Sequence, residues 1–99
     1  MHVNVSIVGL NRISASLGLA LKRYQQQPRA EHTFTILGSD LEAHAMKMAQ
    51  QIGAVDNVDR KLLKATDNAD VIFLSPSPSE LEDAYARLGP SLKAGAVVL

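Results

Sequence analysis

Apolar and polar positions along this chain follow two different periods, and the two alternate from one end to the other. Residues 3–9 read VNVSIVG: Val3, Val5 and Ile7 recur at every second position, Val8 extends the apolar end, and a glycine closes the run. That is the pattern of a buried strand. Over residues 13–24 the period lengthens, and Ile13, Leu17, Ala20, Leu21 and Tyr24 fall on one face of a helix. The polar stretch QQQPRAEHT, with Pro28 inside it, reads as a loop.

The same pair of patterns recurs downstream. FTIL at residues 34–37 predicts a second strand, and residues 41–52 a second helix with Ala45, Met48, Ala49 and Ile52 on its apolar side. Gly53 stands where a helix is expected to end. Residues 54–58 read as a short, weak strand, 60–66 as a short helix, and 70–74 (DVIFL) as a continuous apolar strand of the kind buried in parallel sheets. SPSPS is a turn. A fourth helix is expected over residues 80–88, on Leu81, Ala84, Tyr85 and Leu88, and AVVL at the end begins a fifth strand. Strands alternating with helices imply a parallel sheet with right-handed crossovers. The expected fold class is therefore α/β, a Rossmann-like three-layer αβα arrangement with a parallel sheet in the strand order 3-2-1-4-5.

Composition narrows the function classes. A chain of 99 residues holds one domain with one core. Ten basic residues balance ten acidic ones, with no basic stripe, so nucleic acid is not an expected partner. The apolar runs are far shorter than a membrane span, nothing at residues 1–9 reads as a secretory leader, and a cytoplasmic setting is expected. With no cysteine there is no thiolate nucleophile or sulfur-ligated metal, and His2, His32 and His44 lack metal-ligand spacing, so no metal is expected. The serines of SPSPS have no partner histidine or nucleophile-elbow glycines, and no catalytic residue is assigned. Val97, Val98 and Leu99 have the character of an inner strand, so residues 1–99 are expected to be one domain cut within or just after its fifth strand.

The chemistry concentrates in the first strand-turn-helix, VSIVGLNRISASLGLAL. A dinucleotide-binding turn needs three small positions: one for the tight exit from the strand, one for backbone approach to the pyrophosphate, one for close helix packing. Here they are Gly9, Asn11 and Ser14, a G-x-N-x-x-S version of the glycine motif. The amides at the helix start favour an anion, which makes Gly9, Leu10, Asn11, Arg12 and Ile13 candidate cofactor contacts. Asn11 is expected to adopt a glycine-like left-handed backbone, and the Ser14 hydroxyl to bond back to a helix carbonyl. Arg12 is either a phosphate partner or a solvated first-turn arginine. Asp40, after the second strand, is placed to accept from the adenosine ribose hydroxyls, to cap the second helix, or both. A carboxylate there repels a 2′-phosphate and favours NAD over NADP. Ser75, Pro76 and Ser77 lie where the sheet's carboxyl edge would border a cofactor, or simply begin the next helix.

With these pieces assembled, the chain resembles the N-terminal domain of prephenate dehydrogenases. More broadly it is similar to the 6-phosphogluconate dehydrogenase-like superfamily, with its coenzyme F420-dependent NADP oxidoreductases and pyrroline carboxylate reductases. IVGLNRISASLGLALK, ILGSD, IGAVD, ADVIFLSPSPS and LGPSLKAGAVVL carry the likeness, which spans nearly the whole chain. IGAVD after the second helix points to the prephenate branch. The resemblance implies an oxidoreductase domain with NAD(P) lying over residues 9–14, an acid at the position of Asp40 on the ribose, and a loop like 75–77 beside the cofactor. In that branch the enzyme oxidatively decarboxylates prephenate on the route to tyrosine. Its substrate and catalytic groups lie mostly beyond the fifth strand, in the later Rossmann segment and a helical dimerisation domain, so a small-molecule substrate is expected only with such a region. A homodimer is a further expectation. Asn11 and Ser14 stand where the family usually has glycine. That departure supports an alternative, a degenerate Rossmann module with a structural or regulatory role.

Overall fold

The computed structural model describes residues 1–75 and 97–98. Within them the chain forms β1 (His2–Val8), α1 (Arg12–Gln25), β2 (Thr33–Ser39), α2 (Ala43–Gln51), β3 (Asn57–Val58), α3 (Leu62–Thr66), β4 (Val71–Leu74) and β5 (Val97–Val98). Every strand pair is parallel, and the sheet runs β3-β2-β1-β4-β5, the order expected from the sequence. Of the turn expected at 75–79, Pro76, Ser77, Pro78 and Ser79 lie outside the described residues, as does the helix expected at 80–88.

β1 is the central strand, and its alternation divides the core. Odd positions send Val5 and Ile7 to one face, where Ile36, Ala49, Ala54 and Val55 are buried with them and Ala15 and Leu19 of α1 pack on top. On the other face Val8 is buried with Ile72 and Ala69, against Leu62 at the start of α3. The buried Ser6 hydroxyl donates to the Ala65 carbonyl, tying α3 to that face. Helices thus cover both sides of the sheet, as an all-parallel sheet requires.

Two helices are rotated from the faces their apolar residues predicted. In α1 the buried line is Ser14 and Gly18; of the expected face Leu21 packs against the core and Leu17 and Tyr24 are half-buried, whereas Ile13 is 72% exposed and Ala20 is exposed. In α2 Met46 and Ala49 are buried, while Met48 and Ile52 face outward. The reason is close approach. α1 lies so near the chain after α2 that a Cβ on Gly18 would stand 2.1 Å from the Ala54 carbonyl oxygen, so only small residues occupy that line. Gly53 ends α2 with a φ of +81°, as expected of a residue there, and directs Ala54 and Val55 into the core. Those two residues plug the space beneath α1, so the third strand is only Asn57–Val58 and not the longer one expected from residue 54.

Aspartates open two of the strands. Asp70, just before β4, donates its amide to the Asn4 carbonyl (2.8 Å) and accepts from the Asn4 amide through Oδ2 (2.8 Å). Asp56, just before β3, does the same with Ile36, at 2.8 Å and 2.7 Å. Each carboxylate thereby stands in for a strand carbonyl at the first rung of the ladder. Asp56 also pairs with Lys22, whose Nζ donates to the Phe34 carbonyl at 2.9 Å, joining the last turn of α1 to β2. Asp56→Ala is expected to cost about 1–3 kcal/mol, because it strips the acceptor from an amide on a fully buried strand residue. Asp56→Asn, which keeps an acceptor, should cost less. Urea denaturation checks this: an unchanged midpoint in the alanine variant would mean that water replaces the carboxylate.

Candidate functional site

The site is built at the carboxyl end of β1. Gly9 leaves the strand with a φ of +88°, a left-handed backbone that a side chain would strain. Its amide donates to the Ser39 carbonyl (2.8 Å), and on the other side the Ser75 amide donates to the Val8 carbonyl (2.7 Å). The end of β1 is therefore held from both neighbours. α1 and α3 lie on opposite faces, so the chain's winding reverses between β1 and β4. In an open parallel sheet the crevice at that reversal is where ligands bind.

Three side chains converge on this turn. Asp40, at the end of β2, accepts from the Leu10 amide through Oδ2 (2.7 Å) and from the Glu42 amide through Oδ1 (2.9 Å). It is not the cap of α2: the N-cap position belongs to Glu42, and Asp40 forms a turn leading into it. A carboxylate has about four acceptor sites, and two are used here, so Asp40 keeps capacity for hydroxyl donors in the crevice.

Asn11 is the N-cap of α1. Its φ of −127° and ψ of −173° are extended, not the glycine-like left-handed conformation expected of it. The cap explains the difference, because an N-cap residue takes β-region angles to aim its side chain at the first turn. Asn11 Oδ1 accepts from the amides of Ile13 (3.0 Å) and Ser14 (3.1 Å). Its Nδ2 donates across the crevice to the Ser75 carbonyl (2.9 Å) and hydroxyl (2.8 Å).

Ser14 completes the arrangement from below. Fully buried, its Oγ accepts from the Asn11 amide (3.0 Å) and donates to the Gly9 carbonyl (2.7 Å). The hydroxyl expected to bond back to a helix carbonyl mainly serves the turn carbonyl, with a longer contact to Asn11 O (3.3 Å). Asn11 and Ser14 thus form a reciprocal capping box. The sequence signal for this pairing is a polar residue three positions before another, within what otherwise reads as a glycine motif.

The structure thus brings Gly9, Leu10, Asn11, Asp40 and Ser75 together. The Arg12 and Ile13 side chains are exposed at the helix start, and Pro76 lies outside the described residues. Among the described residues no group of three His, Asp or Glu side chains is arranged to hold a metal, and no helix is long and apolar enough to cross a membrane.

No protein-family model matches the chain, and no curated protein matches its sequence. Solved structures do match its fold. The prephenate dehydrogenase of A. aeolicus, in complex with hydroxyphenyl propionate and NAD+, superposes with a TM-score of 0.83 at 24% identity, over 97% of this chain and 32% of its own. Arogenate dehydrogenase of Synechocystis gives 0.79 at 24% identity, over 96% of this chain and 31% of its own. A pyrroline-5-carboxylate reductase of Coxiella burnetii gives 0.65 at 16% identity, over 87% and 30%. The Rossmann-like fold is therefore shared with these proteins. The chain spans about a third of the length of each.

Proposed function

We propose that this chain is the NAD-binding domain of a dehydrogenase. The observation that carries the reading is the Asp40–Leu10 hydrogen bond, which places a carboxylate with spare acceptor capacity directly beside a glycine turn at the switch point of a parallel sheet. An adenosine ribose set on Asp40 would direct the pyrophosphate over residues 9–14, toward the positive end of α1. The turn fits in part. Gly9 has the required backbone, and Arg12 is the first residue of α1, where helix amides lack an intrahelical acceptor. The Ile13 and Ser14 amides are held by Asn11 Oδ1, and one side-chain rotation frees them.

Bound NAD would supply the hydride acceptor. This chain's own groups would position it: Asp40 through ribose hydroxyls, the first turn of α1 through phosphate, and Ser75 as the opposite wall of the crevice. The A. aeolicus enzyme's complex with NAD+ supports that placement by analogy of fold. The finer reading is a place in a prephenate or arogenate dehydrogenase of tyrosine biosynthesis, acting in the cytoplasm. It rests on the resemblance of IGAVD and ADVIFLSPSPS and on those fold neighbours, and it assigns substrate chemistry to groups outside this chain. One observation favours a second reading, a module without cofactor: Asn11 occupies the amides a phosphate would use.

Titration with NAD and with NADP, followed by calorimetry and thermal unfolding, separates the readings. NAD at about 100 times its dissociation constant should add roughly 2.7 kcal/mol of stability, and NADP should add clearly less. A folded chain that responds to neither ligand would remove the proposal in favour of the second reading.

A further inference from the structure

The helix start that should receive a phosphate already holds an oxygen, and the residue supplying it spans the crevice. Asn11 Oδ1 sits on the amides of Ile13 and Ser14 at 3.0 and 3.1 Å, the distances a phosphate oxygen would take. Its Nδ2 reaches the Ser75 carbonyl and hydroxyl, bridging the ends of β1 and β4. All four polar contacts belong to one exposed side chain that can turn about two single bonds. The buried Ser14 hydroxyl holds the Asn11 backbone from beneath and does not depend on where that side chain points.

We propose that Asn11 is an internal stand-in for the dinucleotide's phosphate and, with Ser75, a latch across the cofactor crevice, so that the ligand binds only by displacing its side chain. The inference rests on the cofactor reading above. The domain then exists in a self-capped form and a ligand-competent form, and apparent affinity falls by the fraction of time the latch is closed. Helix stability and ligand affinity are consequently opposed at this one position. Whatever strengthens the cap weakens binding, and whatever removes it exposes two amides to the ligand.

Four variants of the chain test this: Asn11→Gly, Asn11→Ala, Asn11→Asp and Ser75→Ala, each titrated with NAD by calorimetry and unfolded without ligand. Asn11→Gly and Asn11→Ala should bind NAD about tenfold more tightly than the native chain, the order expected from freeing a cap interaction, while unfolding at lower temperature. The alanine variant separates release of the amides from glycine's backbone freedom. Asn11→Asp keeps an oxygen on both amides and places a negative charge at the helix start. It should unfold no earlier than the native chain and bind NAD at least about tenfold more weakly. Ser75→Ala, which loosens the latch and leaves the cap, should tighten binding by roughly twofold to fivefold.

A purely structural Asn11 would make affinity and stability fall together across the series. If the native chain binds NAD and neither Asn11→Gly nor Asn11→Ala binds it more tightly, the latch is wrong and the cofactor reading survives. If every variant folds and none binds NAD, the cofactor reading fails and the latch fails with it.

Discussion

Gly18→Ala is expected to lower the stability of the domain by about 2–4 kcal/mol, although alanine is the better helix former. On propensity alone the change in the middle of α1 would add about 1 kcal/mol. Packing reverses the sign. The new Cβ would stand 2.1 Å from the Ala54 carbonyl oxygen and 3.0 Å from its carbonyl carbon, and both belong to backbone that is fully buried. No flexible side chain can yield there, so either α1 lifts from the sheet or the chain after Gly53 moves. Lifting α1 would loosen Ala15 and Leu19 from the core that Val5, Ile7 and Ile36 form. Overpacking costs about 1–3 kcal/mol and more against rigid neighbours, and domains of this size have only about 5–15 kcal/mol in total. Thermal unfolding should fall by roughly 10–20 °C. Ala20→Gly, at an exposed position of the same helix, should cost only about 1 kcal/mol and calibrates the propensity effect. A Gly18→Ala variant as stable as the native chain would show that α1 is not held against Ala54 as described.

Asp40→Ala carries the largest expected effect on ligand binding, a loss of about 10–100-fold in NAD affinity, the order of one hydrogen bond to a charged acceptor. It should also cost about 1–2 kcal/mol of stability, because the Leu10 and Glu42 amides lose their acceptor. The stability loss alone would not identify a ligand role, since a slackened β1–α1 turn weakens any ligand. The ratio of the two cofactors does. Removing the carboxylate removes its repulsion of a 2′-phosphate, so NADP should lose less than NAD or gain. Asp40→Asn, which retains an oxygen for the Leu10 amide, should restore most of the stability and keep the altered ratio. Equal losses for both cofactors would reduce Asp40 to a turn-holding residue.

Much of this was legible along the chain. The alternating run at residues 3–9, the continuous apolar run at 70–74 and the helical spacing between them led to the parallel sheet and its order, because a strand buried on both faces is apolar throughout and a parallel return needs a helix. The position of Gly9 after β1 and of Asp40 after β2 likewise followed from pattern, and the fold bonds Asp40 to the Leu10 amide, the residue next to Gly9. The helix faces were less legible. Periodicity puts the bulkiest apolar residues inward, and Leu21 does pack on the core, but Ser14 and Gly18 are the buried line of α1 because the gap between Gly18 and Ala54 admits nothing larger, and Ile13 is left outside. Asp56 and Asp70 gave no signal of their ladder role, since nothing local marks a carboxylate as a substitute for a strand carbonyl.

Asn11 shows the division most clearly. Sequence determined that a polar residue stands where a small one is expected, at the start of a helix whose N3 position is a serine. Only the tertiary structure decided what that residue does, because its donors and acceptors are satisfied by partners 2, 3 and 64 positions away. The two near partners are properties of any capped helix. The distant one, Ser75, exists only because β4 packs beside β1 and brings the two strand ends to opposite sides of one crevice.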